Sequence, residues 1–400
     1  MHWQVVIVGA GPVGGRLATE LSARGISTLM LEEHSEIGRP FQCAGLVNPP
    51  AMKMVGLEDT ILQNVDGALI HSPSGIRVPV GTSGVVRTHV VCRKKFDQGV
   101  VKQAMEAGAH LWLLSKPKDA EVEKDHVNLK VERDGKLVEI KCDLLIGADG
   151  AHSWTRRKFK MGKPKEFMVG FQTDVTGLTG EDNWLEMYTG KDVAPGLFAW
   201  VIPSGNGTHR IGLWARSEDL EGKSVEQYYN ALINHPKWKK RFEGVKEISR
   251  YCGPVPCGII RKPFKDRVMV IGDAAGMSKP TTGGGIGPGF RQVESIIENL
   301  TNAITSNNLS ASSLSKVCKP YKVMRKEQAR ARALRDLLVT IPSDEELDAH
   351  FEMFNRPEVI DLINKIGDIE NPVALGFTLL KKVPEFRMLA LKAGMKLILA

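Results

Sequence analysis

The chain has few of the features that define several classes of protein. Its six cysteines, Cys43, Cys92, Cys142, Cys252, Cys257 and Cys318, include no CxxC pair and no Cys/His cluster at zinc spacing, so no metal site is expected. Cys252 and Cys257 bracket Gly-Pro-Val-Pro and could bridge, but two reduced thiols are the expectation in a cytosolic chain. No stretch reaches the roughly 18 apolar residues that would make a membrane span. Met1-His2-Trp3-Gln4 leads directly into an apolar run, so no signal peptide is expected. There is no internal repeat and no low-complexity tract. These absences leave a cytoplasmic protein, with peripheral contact at the inner face of the cell membrane as a further expectation.

The 400 residues suffice for two or three domains. An apolar fraction of 42% and a charged fraction of 25% are those of an ordinary globular protein. The formal net charge of +8 fits an anionic small molecule, a phospholipid surface, nucleic acid or a plain solvated surface. Aromatic residues are not interleaved with the basic run Lys316–Arg335, so no nucleic-acid partner is expected. That run reads as a solvated helix face or a docking site for an acidic ferredoxin.

The first thirty residues read as a strand, a glycine turn, a helix over Val13–Arg24 and a second strand over Thr28–Leu31, the start of a parallel sheet. Gly9-Ala10-Gly11-Pro12-Val13-Gly14 fits G-x-G-x-x-G at the turn. Gly9 permits the tight turn, Gly11 lets backbone approach a pyrophosphate, and Gly14 lets the helix pack on the sheet. Glu32 ends the second strand, where a carboxylate can accept hydrogen bonds from ribose hydroxyls and would repel a 2′-phosphate. Glu33 is read as an exposed charge. Further on, a hairpin is expected over 120–143 with Asp134-Gly135 at its turn. Helices are expected over Val225–Asn234 and Gly289–Thr305, and core strands over Leu144–Ala148 and Val268–Ile271. No second G-x-G-x-x-G unit is present for a nicotinamide.

Two later segments separate FAD from NAD. Gly147-Ala148-Asp149-Gly150 and Gly272-Asp273 each end a buried strand, and Gly283-Gly284-Gly285 precedes a helix. Asp273 can hydrogen-bond a ribityl chain, and the helix N-terminus can face the pyrophosphate or the flavin carbonyl edge. The trio in this order resembles the flavoprotein superfamily of para-hydroxybenzoate hydroxylase over most of residues 1–310. Arg93, before Phe96-Asp97 and Ala107-Gly108-Ala109, matches an arginine that contacts the flavin in that superfamily.

Two more segments resemble the geranylgeranyl reductase family. Pro40-Phe41-Gln42-Cys43 matches P-x-x-C beside the flavin, and residues 196–205, GLFAWVIPSG, are similar to a Y-x-W-x-F-P-x-G substrate-cavity motif. Phe198 stands for the tyrosine and Ile202 for the phenylalanine, while Trp200, Pro203 and Gly205 match. The sequence departs from the family at Gly287-Pro288-Gly289-Phe290. The resemblance implies FAD contacts at Val13, Glu32, Cys43, Ala44, Arg93, Asp273, Gly285 and Ile286. Gly9, Gly11, Gly14 and Asp149 complete the expected cofactor residues, and Phe198, Trp200, Ile202 and Pro203 the expected substrate wall. Cys43 is the catalytic candidate, as gate or proton source.

The expected fold is α/β: a Rossmann-type FAD-binding domain with an inserted mixed-sheet substrate domain and a helical C-terminal region. The FAD-binding domain is discontinuous (1–65, 93–164 and 259–310), the substrate domain takes 66–92 and 165–258, and the helical region takes 311–400. The resemblance implies saturation of isolated C=C bonds of geranylgeranyl chains in archaeal-type membrane-lipid precursors. It implies a prenylated phospholipid as substrate and an external electron donor: ferredoxin, deazaflavin or NAD(P)H. The competing expectation is an FAD-dependent aromatic or isoprenoid monooxygenase. The C-terminal segment 383–400, with Arg387, Lys392 and Lys396, reads as an interfacial helix or one packed on the body.

Overall fold

The apolar run at the start of the chain is a strand buried on both faces. In His2–Val8, Val5 and Ile7 join one apolar cluster and Val6 and Val8 another, none more than 4% exposed. Side chains alternate across a strand, so a run without polar residues requires cover on both sides, as parallel sheets have. The computed structural model describes residues 1–40, 43–180, 183–340, 342–366, 372–388 and 391. His2–Val8 pairs in parallel with Lys136–Gly147 on one side and Thr28–Leu31 on the other. Val268–Val270 and His110–Trp112 extend this parallel sheet at its two ends. The strands Val127–Arg133 and Ser115–Val122 add an antiparallel meander, whose turn at Asp134-Gly135 has both residues at positive φ. One cluster is closed by the helices Pro12–Ser22, Arg93–Glu106 and Ile286–Thr305, through Leu17, Leu21, Val101, Val293 and Leu300. The other is closed by the meander, through Ala120, Leu129 and Val131.

The chain divides into two compact units. The first holds 1–61, 91–167 and 254–328 and contains the sheet just described. The second holds 62–90, 168–253 and 329–400. Of the helices after residue 310, Ala311–Val317 falls in the first unit and Asp344–Phe354, Pro357–Ile366 and Pro372–Lys382 fall in the second.

The second unit is built on a seven-stranded mixed sheet. The strands Glu166–Thr176, Thr208–Arg216, Ala194–Pro203 and Trp184–Gly190 run antiparallel in that order, and Trp184–Gly190 then pairs in parallel with Gly67–His71. The helix Val225–Ile233 buries Tyr228, Tyr229 and Leu232 against Ala199, Val201, Ile211 and Leu213. That helix opens with a capping box between Ser224 and Gln227. Among the described residues no helix is long and apolar enough to cross a membrane, and no cluster of His, Cys, Asp or Glu is suited to hold a metal ion. Phe41, Gln42 and most of the segment 383–400, including Lys392 and Lys396, lie outside the described residues. No disulfide joins Cys252 to Cys257.

Candidate active site

The glycine turn after the first strand has the geometry its spacing requires. Gly9 has φ +97°, and a Cβ there would stand 2.6 Å from the Ala148 carbonyl oxygen. A Cβ on Gly14 would stand 2.2 Å from the Gly9 oxygen, whereas one on Gly11 would meet nothing within 4 Å. Gly9 and Gly14 are thus fixed by packing, whereas the space beside Gly11 is open. The helix Pro12–Ser22 starts there without a side-chain cap, leaving its first N–H groups and the positive end of its dipole available to an anion. Glu32 sits over the turn: its Oε2 accepts from Ala10 N at 3.2 Å and its Oε1 from His34 N at 3.0 Å. Glu33 is spent on an ion pair with Lys116 on the surface.

A second uncapped helix start lies in the same unit, at Gly285 and Ile286. Asp273 is half-buried beside it: a Cβ on Gly285 would lie 2.6 Å from Asp273 Oδ1, which accepts from Ser278 Oγ at 2.7 Å. Burial pushes the Asp273 carboxyl upward, against the lowering pull of Ser278 and Arg93. The hydroxyl of Thr282, in the same loop, is buried without a partner. Val13 wedges between the two cofactor segments, against Gly272 and Gly289.

Arg93 opens the helix Arg93–Glu106 and forks onto Asp97, with Nε–Oδ1 at 3.1 Å and Nη2–Oδ2 at 2.8 Å. The two side chains are only 13% and 9% exposed. Cys43 lies near Arg93: burial opposes the guanidinium charge, but Asp97 and Cys43 outweigh burial and raise its pKa. The structure therefore brings together two residues far apart in sequence, Cys43 and Arg93. Cys43 and Ala44 are half-buried, and Cys43 Sγ accepts from Gly45 N at 3.3 Å.

Asp149 has a local use. Its Oδ1 accepts from Ser153 Oγ at 2.6 Å and its Oδ2 from Thr155 N at 2.9 Å and Thr155 Oγ1 at 3.0 Å. It holds the turn from strand to helix, and both carboxylate oxygens are engaged within the chain. Three residues not singled out in the sequence brace the cofactor segments. Arg156 donates to the carbonyls of Ala274 and Ala151, each at 2.8 Å. Gln292 accepts from Gly272 N at 2.7 Å. Gln328 donates to the carbonyls of Gly276, Met277 and Ser278.

Phe198, Trp200 and Ile202 lie in the second unit, on the face of the strand Ala194–Pro203 opposite Leu197, Ala199 and Val201. Pro203 ends the strand. Trp214, unnoticed in the sequence, pairs with Phe198 across the ladder, ring centroids 5.6 Å apart, and Trp200 pairs with Gly212. The Trp200 indole lies flat on Gly212, where a Cβ would come within 2.5 Å of the ring. Gln172 lies beyond Gly212 on the next strand. The face is aromatic at Phe198, Trp200 and Trp214 and polar beside them: Arg210, in register with Ile202, stands 3.8 Å from Asp174, and the Trp200 and Trp214 indole nitrogens and Gln172 Oε1 are buried without partners.

Two uncapped helix starts, a half-buried carboxyl and an unpartnered hydroxyl in one unit fit a dinucleotide with a pyrophosphate and a polyol chain. Residues 2–311 match the FAD binding domain family. Digeranylgeranylglycerophospholipid reductase 2 of Methanothermobacter thermautotrophicus is 32% identical over 359 residues, 87% of this chain and 91% of that one. Digeranylgeranylglycerophospholipid reductase of Methanocaldococcus jannaschii is 34% identical over 357 residues, 87% and 89% of the two chains. A solved geranylgeranyl bacteriochlorophyll reductase-like protein from Thermoplasma acidophilum shares the fold with a TM-score of 0.87 at 23% identity, covering 98% and 99%. FAD is the cofactor, and the protein is an FAD-dependent oxidoreductase. The chain belongs to the FAD binding domain family and, within it, to the digeranylgeranylglycerophospholipid reductase family.

Proposed function

We propose that the protein reduces isolated C=C bonds of geranylgeranyl chains in archaeal-type membrane-lipid precursors, using electrons from an external donor. The observation that carries this reading is the match, across most of the chain, to reductases named for such a lipid. The aromatic patch of Phe198, Trp200 and Trp214 supports it, because an isolated alkene needs an apolar wall. Ferredoxin, a deazaflavin and NAD(P)H remain the candidate donors.

In this reading the backbone at Gly9, Gly11, Val13 and Gly14 holds the pyrophosphate, and Glu32 holds a ribose. Asp273 holds the ribityl chain. Gly285 and Ile286 face the flavin ring, with Cys43, Ala44 and Arg93 at its side. Asp149 acts by shaping the turn that packs on Gly9. Bound there, FAD supplies the hydride that an alkene without an electron-withdrawing group requires. The second carbon of the double bond needs a proton, and in this reading Cys43 delivers it or gates its entry. Arg93, fixed by Asp97, orients the Cys43 side chain. Phe198, Trp200, Ile202 and Pro203 exclude water from the chain being reduced.

The test is to reduce the bound flavin with dithionite under anaerobic conditions, add a geranylgeranylated glycerophospholipid, and weigh the lipid by mass spectrometry. A gain of two hydrogens per double bond with reoxidised flavin is expected. An unchanged lipid, with an oxygenated product once air is admitted, would favour the monooxygenase instead.

A further inference from the structure

Three stretches of the first unit that lie far apart in sequence meet at one surface. Lys165 N donates to the Gly258 carbonyl at 3.2 Å, and Arg325 Nη1 donates to the carbonyls of Ile260 and Arg261 at 2.8 and 2.9 Å. Gln328 Oε1 accepts from Ile259 N at 2.9 Å. The joined stretches 163–166, 258–262 and 322–328 carry seven basic side chains, Lys163, Lys165, Arg261, Lys262, Lys322, Arg325 and Lys326, against two carboxylates, Glu166 and Glu327. All seven except the half-buried Arg325 are exposed. Among the described residues none of the seven is in an ion pair with a carboxylate. Burial and then the like charge of Arg261 push the Arg325 guanidinium down, with only Cys318 opposing them. Seven cations against two carboxylates make a strongly positive surface, which attracts an anionic partner.

The surface continues directly into the cofactor segment. Ile260 N donates to the Ala275 carbonyl at 3.0 Å, two residues after Asp273, and Gln328 holds the next three carbonyls. A Cβ on Gly276 would lie 3.1 Å from the Pro164 ring, which sits between Lys163 and Lys165. A partner seated on these cations therefore rests on the backbone that carries Asp273.

We propose that this basic surface docks a small acidic protein that carries one electron at a time and reduces the flavin. The proposal rests on the reading of the protein as a reductase supplied by an external donor. An anionic membrane is the other occupant of matching charge. Surface-bound helices insert an apolar row of Trp, Phe or Leu, however, and the solvent side of 322–328 offers one exposed apolar residue, Val323. The electrons balance with two carriers: each is oxidised by one electron, and the two electrons with one proton from solvent reduce FAD to FADH⁻. Hydride and one further proton then pass to the alkene.

The experiment is stopped-flow reduction of the FAD-loaded protein by a reduced plant-type [2Fe–2S] ferredoxin across a salt series. Wild type is compared with the triple variant Lys262→Glu/Lys322→Glu/Lys326→Glu. Wild-type bimolecular reduction is expected to fall steeply as salt rises, as steered association does. The variant should react at least about tenfold more slowly at low salt, by the same principle, with unchanged FAD content, melting temperature and dithionite-driven turnover. Reduction that is insensitive to salt and equal in the two proteins overturns the proposal. So does a variant that loses binding to phosphatidylglycerol vesicles while keeping its reduction rate, which would assign the surface to lipid. Lack of lipid reduction with dithionite in wild type would instead defeat the proposed function and leave the docking result standing.

Discussion

Val13 and Gly289 hold two helices of the first unit together at the cofactor segments. A Cβ on Gly289 would stand 2.3 Å from Val13 Cγ2, closer than side-chain atoms pack, and one on Gly272 would stand 3.3 Å from the same valine. Here Gly287-Pro288-Gly289-Phe290 departs from the related family, and packing accounts for the glycine at 289. Gly289→Ala forces the stiff valine off its rotamer or moves the helix start that faces the ligand. Overpacking of this kind costs roughly 1–3 kcal/mol, so FAD should bind about tenfold or more weakly. Fluorescence titration of the deflavinated protein measures this, and Val13→Ala in the same chain should restore most of the affinity.

The ion pair of Arg93 and Asp97 predicts an asymmetric mutational response. Removing one partner leaves a buried charge alone, which costs about 3–5 kcal/mol. Arg93→Met and Asp97→Leu should each destabilise strongly by urea unfolding, and the double variant less than the sum of the two. Additive losses would show that the forked contact contributes nothing beyond each residue's own packing.

Cys43 lies near Arg93, and its sulfur accepts from Gly45 N rather than from the glycine turn at Gly9–Gly14. Cys43→Ala should keep full FAD content while kcat falls by about 100-fold, the scale at which a positioned proton donor contributes. Turnover unchanged at full occupancy would remove Cys43 from the mechanism.

Much of this arrangement was legible because its determinants are local. Gly9, Gly11 and Gly14 announce themselves by spacing, Val5–Val8 by an unbroken apolar run, and Asp134-Gly135 by turn chemistry. Residues that act across the fold left no such signal. Gln328 is an ordinary polar residue in a basic helix until the chain brings it beneath Gly276–Ser278. Trp214 becomes part of an aromatic face only once its strand pairs with that of Phe198. Asp149 was legible as a strand-end carboxylate, but its engagement by Ser153 and Thr155 depends on a short helix that spacing alone did not reveal. The parallel pairing of Trp184–Gly190 with Gly67–His71 joins segments more than a hundred residues apart, beyond the reach of any periodicity.

Asp273 predicts a pH effect on the protein without FAD. Burial raises its pKa above that of an unfolded chain, so the folded state binds the extra proton. Stability from this group is therefore full below the unfolded value near 3.8 and falls as pH rises through the folded value. Asp273→Asn removes the charge, and the apo variant should be more stable than apo wild type above that window. The gap should grow as pH rises from about 4, the ordinary aspartate value, and close at lower pH. Parallel melting curves in acid and neutral buffer test the sign. The same variant should bind FAD more weakly, because a neutral amide oxygen replaces the carboxylate as acceptor for the ribityl hydroxyls.

Gly212 offers a test of the aromatic face that leaves the cofactor segments untouched. A Cβ there would meet the Trp200 ring at 2.5 Å and the Phe171 carbonyl oxygen at 2.6 Å, so neither side can yield without moving a strand or the indole. The indole is the easier to displace, since Trp200 is only partly buried. Gly212→Ala should therefore lift Trp200 from the sheet while the FAD-binding unit keeps its cofactor. If this face lines the lipid chain, kcat/KM for the prenylated lipid should fall by about tenfold to 100-fold, the penalty for misplacing a substrate by about an ångström. Reduction of the flavin by dithionite should be unaltered. Unchanged lipid kinetics in a variant whose tryptophan fluorescence has shifted would place the substrate elsewhere, because the wall would have moved without the substrate registering it.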